Sequence, residues 1–219
     1  MTAGLWETWV LPGIWITVQL LVYSAALAAV VAFGVGLART HRSRLVRFLA
    51  TAYTEVFRGT SALILMFWLF FVVPPLLGWQ LVPMWAAVLA LGLSYGAYGA
   101  EIVRGAVGAV APAQREAGVA LSFTPWQRTR LIVLPQAVPE MIPPFCNLLV
   151  ELLKGTALVS LLGVGDVSFA AYLVRLATQE SAQIYTIILV VYFLISLVIT
   201  RSMKALERRT KANLGVVAK

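Results

Sequence analysis

The stretch Gln114–Val167, QREAGVALSFTPWQRTRLIVLPQAVPEMIPPFCNLLVELLKGTALVSLLGVGDV, decides the fold. It opens polar and basic for the length of two short helices, then turns apolar near Leu134. Pro112 suits the first turn of a helix over 113–121. Ser122 and Thr124 flank a break, and Thr124-Pro125 makes a cap and first position for a second helix over 126–134. Pro135 then opens a long hydrophobic segment. Val119, Leu121, Phe123 and Trp126 supply the apolar part of an amphipathic hairpin at a membrane surface. Periodicity alone also allows an interfacial loop with no partner.

Composition supports the membrane reading. Of 219 residues, 61% are hydrophobic and 12% charged, with a mean hydropathy of +0.89. A soluble domain carries about 25% charged residues. A single Cys146 excludes an internal disulfide, and a single His41 argues against a His-built metal site. The net charge of +8 does not point to nucleic acid, because the cations flank apolar segments instead of forming one basic face.

A bilayer core of about 30 Å needs about 20 apolar residues per helix. Five spans are expected, near 10–38, 57–77, 83–103, 136–163 and 181–203, within one domain covering 1–219. Residues 39–58, 101–130 and the tail after Thr200 then share one side and hold fifteen of the 17 basic residues. That asymmetry makes the side cytoplasmic, with the N-terminus outside and the C-terminus inside. Trp6, Trp9, Trp15, Trp79 and Trp85 fall near span ends on the other side, as an aromatic belt does. The first span has no positive n-region and too long an apolar run for a cleaved signal, so it reads as a retained anchor.

The hairpin resembles the EAA loop of permease subunits from binding-protein-dependent ABC importers. Glu116, Ala117 and Gly118 occupy the EAA positions and Leu134-Pro135 the end of the pattern. Gly118 replaces the second Ala, and Ser122 stands where the family usually has Gly. Other boxes resemble those of polar amino-acid permeases. Phe57-Arg58-Gly59-Thr60 resembles F-R-G-T-P, and 100–105 resembles A-E-I-x-R-G. Leu134-Pro135-Gln136-Ala137, Pro143-Pro144, Asn147 and 154–158 resemble L-P-Q-A, P-P, N and K-D-T-S-L. Gly155 and Ala157 depart from the last.

The resemblance implies an all-α integral membrane protein with five transmembrane helices. A cytoplasmic coupling-helix loop at about 108–134 would lie between the third and fourth. It implies a multi-pass subunit in the bacterial cytoplasmic (inner) membrane. Its partners would be a cytoplasmic ABC ATPase dimer, a second permease subunit (identical or different) and an extracytoplasmic solute-binding protein. No G-x-x-x-x-G-K-[ST] phosphate loop is present, so ATP and magnesium would sit on the ATPase. This chain would bind no cofactor and catalyse no reaction. By resemblance Glu116, Ala117, Gly118 and Ser122 form the ATPase-coupling loop, with small residues allowing close approach.

Charges within a span are costly and mark function by default. Asn147, Glu151 and Lys154, spaced four and three apart, share one face of the fourth span. One reading is a path for a zwitterion, with its carboxylate at Lys154 and its cationic group at Glu151. The other is an internal Glu151–Lys154 ion pair. Gln19, Tyr95 and Tyr98 are weaker candidates. The substrate would be a small polar or zwitterionic amino acid. ELLKGTAL at 151–158 and the Met141–Pro144 run also look like permeases for ectoine-type compatible solutes. A stand-alone channel or membrane adaptor is the remote alternative. Gly92-Leu93-Ser94-Tyr95-Gly96 matches the G-x-S-x-G elbow only formally, because Ser94 falls inside a helix. The same glycines match a G-x-x-x-G packing face.

Overall fold

A computed structural model describes residues 6–78 and 80–213. Trp79 and Lys219 lie outside the described residues, as do the side chains of Trp6 and Glu7. Among the described residues all regular structure is helical. The helices are α1 (Leu11–Ala38), α2 (Arg44–Gly59), α3 (Ala62–Leu77), α4 (Pro83–Ala109), α5 (Pro112–Ala120), α6 (Pro125–Leu162), α7 (Val167–Thr178) and α8 (Ser181–Asn213). Four of them, α1, α4, α6 and α8, are long and apolar enough to cross a bilayer alone. The α2–α3 pair makes a fifth crossing when the two are taken together.

α1 and α4 form the central pair, and their sequences explain why. The buried positions of α1 include Gly13, Thr17, Leu20, Ser24, Ala28, Ala32 and Gly36. They recur about every four residues and are mostly small. In lipid, helices associate through close packing, which small residues permit. A Cβ on Gly92 would come within 2.5 Å of Leu27, and one on Gly96 within 2.7 Å of Val31. The G-x-x-x-G reading therefore holds. Ser94 is a buried helical residue whose Oγ lies 3.5 Å from the Phe57 carbonyl oxygen. Leu20, Met66, Leu91, Leu152 and Leu153 fill the core where α3 and α6 join this pair.

Several boundaries differ from the sequence reading; α4, for one, runs to Ala109, six residues past its expected end. The second span does not run back to Phe57. The chain breaks at Thr60 and Ser61, both extended, and α2 meets α3 at 99°. Phe57 and Arg58 thus belong to α2, which leans on α4 through a 2.7 Å bond from Tyr53 Oη to the Leu93 carbonyl. Next, the fourth span does not start at Pro135. Pro125–Leu162 is continuous, with a wide π turn at Thr129–Val133. Pro135 has no N–H and its ring crowds the carbonyl four residues back. The π turn absorbs that crowding without ending the helix.

The sequence reading also left 164–180 without a helix, yet α7 occupies Val167–Thr178. Its start is set by Asp166, whose carboxylate accepts bonds from the Ser168 and Phe169 N–H groups, each 3.1 Å. Such a cap satisfies donors that a helix start otherwise leaves bare. Asp166 is fully buried, and burial pushes its carboxyl up to about 6. Thr17 Oγ1 donates to the Gly13 carbonyl at 3.0 Å and accepts from Val167 N–H at 3.1 Å, stapling α7 to α1. Finally, α8 runs on to Asn213, ten residues beyond its expected end. Trp9, Trp15 and Trp85 are exposed.

Candidate functional site: a hairpin and a polar cleft

The hairpin forms between α5 and the start of α6. α5 covers Pro112–Ala120, one residue earlier at each end than the sequence spacing gave. It closes in a Schellman turn. Phe123 N–H donates to the Gly118 carbonyl at 3.0 Å, and Ser122 N–H to that of Val119 at 2.8 Å. Ser122 itself is left-handed, with φ +58°. The position where the family pattern carries Gly is thus the one that needs a left-handed residue.

Thr124 then starts α6 with a capping box. Its Oγ1 accepts from Gln127 N–H at 3.3 Å, and Gln127 Oε1 accepts from Thr124 N–H at 2.8 Å. Two further bonds stiffen the hairpin. Gln136 Nε2 donates to Gln114 Oε1 at 3.3 Å, and the Arg115 guanidinium donates to the Val107 carbonyl at the end of α4.

The three EAA positions divide. Glu116 and Ala117 are exposed. Gly118 is buried against the chain's own α6, where an added Cβ would come within 2.8 Å of Arg128 and Ile132. Its small size serves the closure of the hairpin. Val119, Leu121 and Trp126 stand exposed on the same hairpin, while Phe123 is half-buried.

The fourth-span residues divide as well. Asn147 and Glu151 line a cleft of about 360 Å³ with Arg58, Tyr98, Glu101 and Pro144. Lys154 lines a different cleft, with Ser168, Tyr185 and Tyr192. Among the described residues no ion pair joins Glu151 to Lys154, which removes the internal-pair reading. Lys154 also fails to meet Glu151 across one substrate-sized space. A step of three residues turns the helix by about 60°, enough to send the two heads to opposite sides of a neighbour.

The cation that does share the Glu151 cleft is Arg58. Its guanidinium lies 5.4 Å from the Tyr98 ring centre, and Tyr98 Oη donates to the Arg58 carbonyl at 3.2 Å. Tyr95 Oη donates to the Glu151 carbonyl at 3.0 Å and stays outside the cleft, as does Gln19.

One wall of the cleft is an ionic cluster. Glu101 receives bonds from the Arg39 and Arg104 guanidinium groups, the latter partly through Arg104 Nε at 3.0 Å. The cluster locks the end of α1 to α4, and Arg39 keeps only 12% of its side chain exposed.

Residues 30–212 match the model of a family described as the binding-protein-dependent transport system inner membrane component. The chain belongs to that family. This permease is similar to the probable amino-acid ABC transporter permease protein y4tF of Sinorhizobium fredii. The two are 45% identical over 89% of the chain and 84% of the relative. It is also 35% identical to the arginine transport system permease protein ArtQ of Bacillus subtilis, over 93% of each chain. Among solved structures, it superimposes on a chain from the crystal structure of an amino acid ABC transporter with histidines. There the TM-score is 0.82 and the identity 28%, with 91% of this chain and 92% of the other covered. The MetNI methionine transporter shares the fold, at TM-score 0.78 and 22% identity.

Two residues of the permease's cleft escaped sequence reasoning. Glu101 read as a span end and as part of the 100–105 box, although its i,i+3 spacing to Arg104 also signals an ion pair. Arg58 read as a charge at the membrane surface. Its place in the cleft depends on the break after Gly59, which turns α2 across α4.

Proposed function

We infer that this permease moves a small polar or zwitterionic amino acid across the bacterial cytoplasmic membrane, driven by ATP hydrolysed on a partner. The partners are a cytoplasmic ATPase dimer, a second permease subunit and an extracytoplasmic binding protein. The basic side of the bundle, which carries the hairpin, is cytoplasmic. Glu116 and Ala117 present the exposed face of α5 to the ATPase, with Ser122 setting the turn and Gly118 packing it. Hydrogen bonds at both ends make α5 a stiff lever, and coupling needs such an element biased from both sides.

The observation that carries the substrate reading is the meeting of Arg58, Asn147 and Glu151 in one cleft among apolar spans. Opposite charges in one cleft suit a zwitterion. The substrate carboxylate meets Arg58, its ammonium meets Glu151, and Asn147 bonds either. Lys154 has no part in this contact.

Relatives named for arginine, glutamine and cystine transport support an amino acid as substrate. None of the relatives cited here is named for a compatible solute. The test is uptake and ATPase stimulation by the reconstituted complex with its binding protein, for the native chain and Glu151→Gln. The ligand panel contains arginine, glutamine, cystine, histidine and ectoine. Stimulation by an amino acid, reduced at least about tenfold in Glu151→Gln, supports the reading; tenfold corresponds to about 1.4 kcal/mol. Stimulation by ectoine alone replaces the substrate class. A chain that never co-purifies with an ATPase is a channel or adaptor instead.

A further inference from the structure

A second cavity lies on the neighbouring face of α6 to the polar cleft, with Leu148 lining both. It is a groove of about 460 Å³ with α6 as its floor. Ala26 and Ala29 of α1 form one wall, and Met203 and Leu206 of α8 the other. Along α6 it extends from Val138 to Leu152. Those fourteen steps at 1.5 Å each span about 21 Å.

Its lining is apolar almost throughout. The one polar side chain, Tyr95, gives its hydroxyl to the Glu151 carbonyl and shows the groove its ring. Phe33 stacks on Phe145 with ring centres 6.0 Å apart, closing one flank.

Size decides what fits. A volume of 460 Å³ over that length leaves a mean cross-section of about 22 Å². A helix about 10 Å wide has a section of about 80 Å², so a partner's helix would rest across the open side of the groove and not within it. A single methylene chain, with neighbours about 4.5 Å away, needs about 20 Å². The length of the groove is comparable to the roughly 15 Å hydrocarbon depth of one leaflet.

Charge then selects the headgroup. The groove ends toward the basic side, and the wall helix α8 continues there as Arg201, Lys204, Arg208 and Arg209, all exposed. Arg209 sits three residues past Leu206, on the same helix face, and has no ion-pair partner among the described residues. Lys211 by contrast is paired with Glu207 at 2.7 Å. Clustered cations just beyond a membrane helix attract anionic lipid.

We propose that this groove holds one acyl chain of an anionic phospholipid from the leaflet on the basic side, with its phosphate at Arg209. The bound lipid joins α1 to α8 across the α6 floor. The proposal stands apart from the substrate reading, since none of the polar residues of the cleft lines the groove, although Leu148 borders both.

The test uses the permease–ATPase complex, carrying photo-methionine, in nanodiscs of phosphatidylcholine and phosphatidylglycerol. Met141 and Met203 line the groove, so no bulky label is introduced. Irradiation followed by mass spectrometry is expected to give phosphatidylglycerol adducts on both. Ala29→Phe fills the groove and removes them. Arg209→Gln lowers the preference for phosphatidylglycerol over phosphatidylcholine about fivefold. Adducts to a second permease or an ATPase polypeptide at these methionines overturn the proposal. So does the absence of lipid adducts, and so does labelling that survives Ala29→Phe unchanged. The readout is lipid mass and not transport, so it is independent of which amino acid is carried.

Discussion

Replacing Ser122 by Gly is expected to tighten the coupling hairpin. Ser122 holds φ +58° at the C-terminal turn of α5, a conformation that costs an L-residue about 1–2 kcal/mol. Glycine relieves that strain but gives up about 0.5–1 kcal/mol of extra chain entropy. The balance favours the variant by about 0.5–1 kcal/mol, or two- to fivefold in the equilibrium for opening the turn. The two hydrogen bonds donated by Ser122 and Phe123 N–H are untouched, because both are main-chain bonds. Hydrogen exchange on a peptide covering 112–128 reads the effect directly, as exchange two- to fivefold slower in Ser122→Gly. Ser122→Val, branched at Cβ and poorly suited to positive φ, is expected to shift exchange the opposite way. Equal protection in all three proteins, or faster exchange in Ser122→Gly, would refute the left-handed turn and the hairpin built on it.

Three further outcomes follow from other parts of the molecule. Glu101→Gln leaves Arg39 and Arg104 without their shared carboxylate and is expected to cost about 1.5–3 kcal/mol; an unchanged thermal midpoint in detergent would contradict the cluster. Asp166 has its carboxyl raised by burial from 3.8 to about 6, so the folded state holds its proton more tightly than the unfolded chain. Stability is therefore full below about pH 4 and falls, by on the order of 3 kcal/mol, as pH rises through 6. Asp166→Asn should flatten that slope in denaturation midpoints measured from pH 4 to 7. Gly13→Val would push into the backbone of Val167, since even a Cβ there lies 3.0 Å from Val167 Cα. The expected cost is about 1–3 kcal/mol, seen as faster hydrogen exchange confined to α7.

Much of this permease was legible in its sequence, because the bilayer leaves few choices. Backbone groups in hydrocarbon must bond internally, so each long apolar run must be a helix. The spans, the hairpin and the Thr124 cap follow from such local rules. So does the value of the Ser122 position, where a pattern written in one residue type marks a single backbone conformation. The Asp166 cap was equally local, and the start of α7 could have been read from it.

What the tertiary structure alone decided is which side chains meet. Glu151 and Lys154 share a stripe in sequence, but the packing of α4, α7 and α8 around α6 assigns them to separate clefts. Arg58 comes to line the Glu151 cleft because the chain turns by 99° between α2 and α3. Arg39 finds Glu101 across 62 positions, a distance no periodicity encodes. A helical pattern fixes the direction of a residue about its own axis; the neighbour found in that direction depends on how whole helices cross, and that is set by small residues such as Gly92 and Gly96 acting far from the charges they bring together.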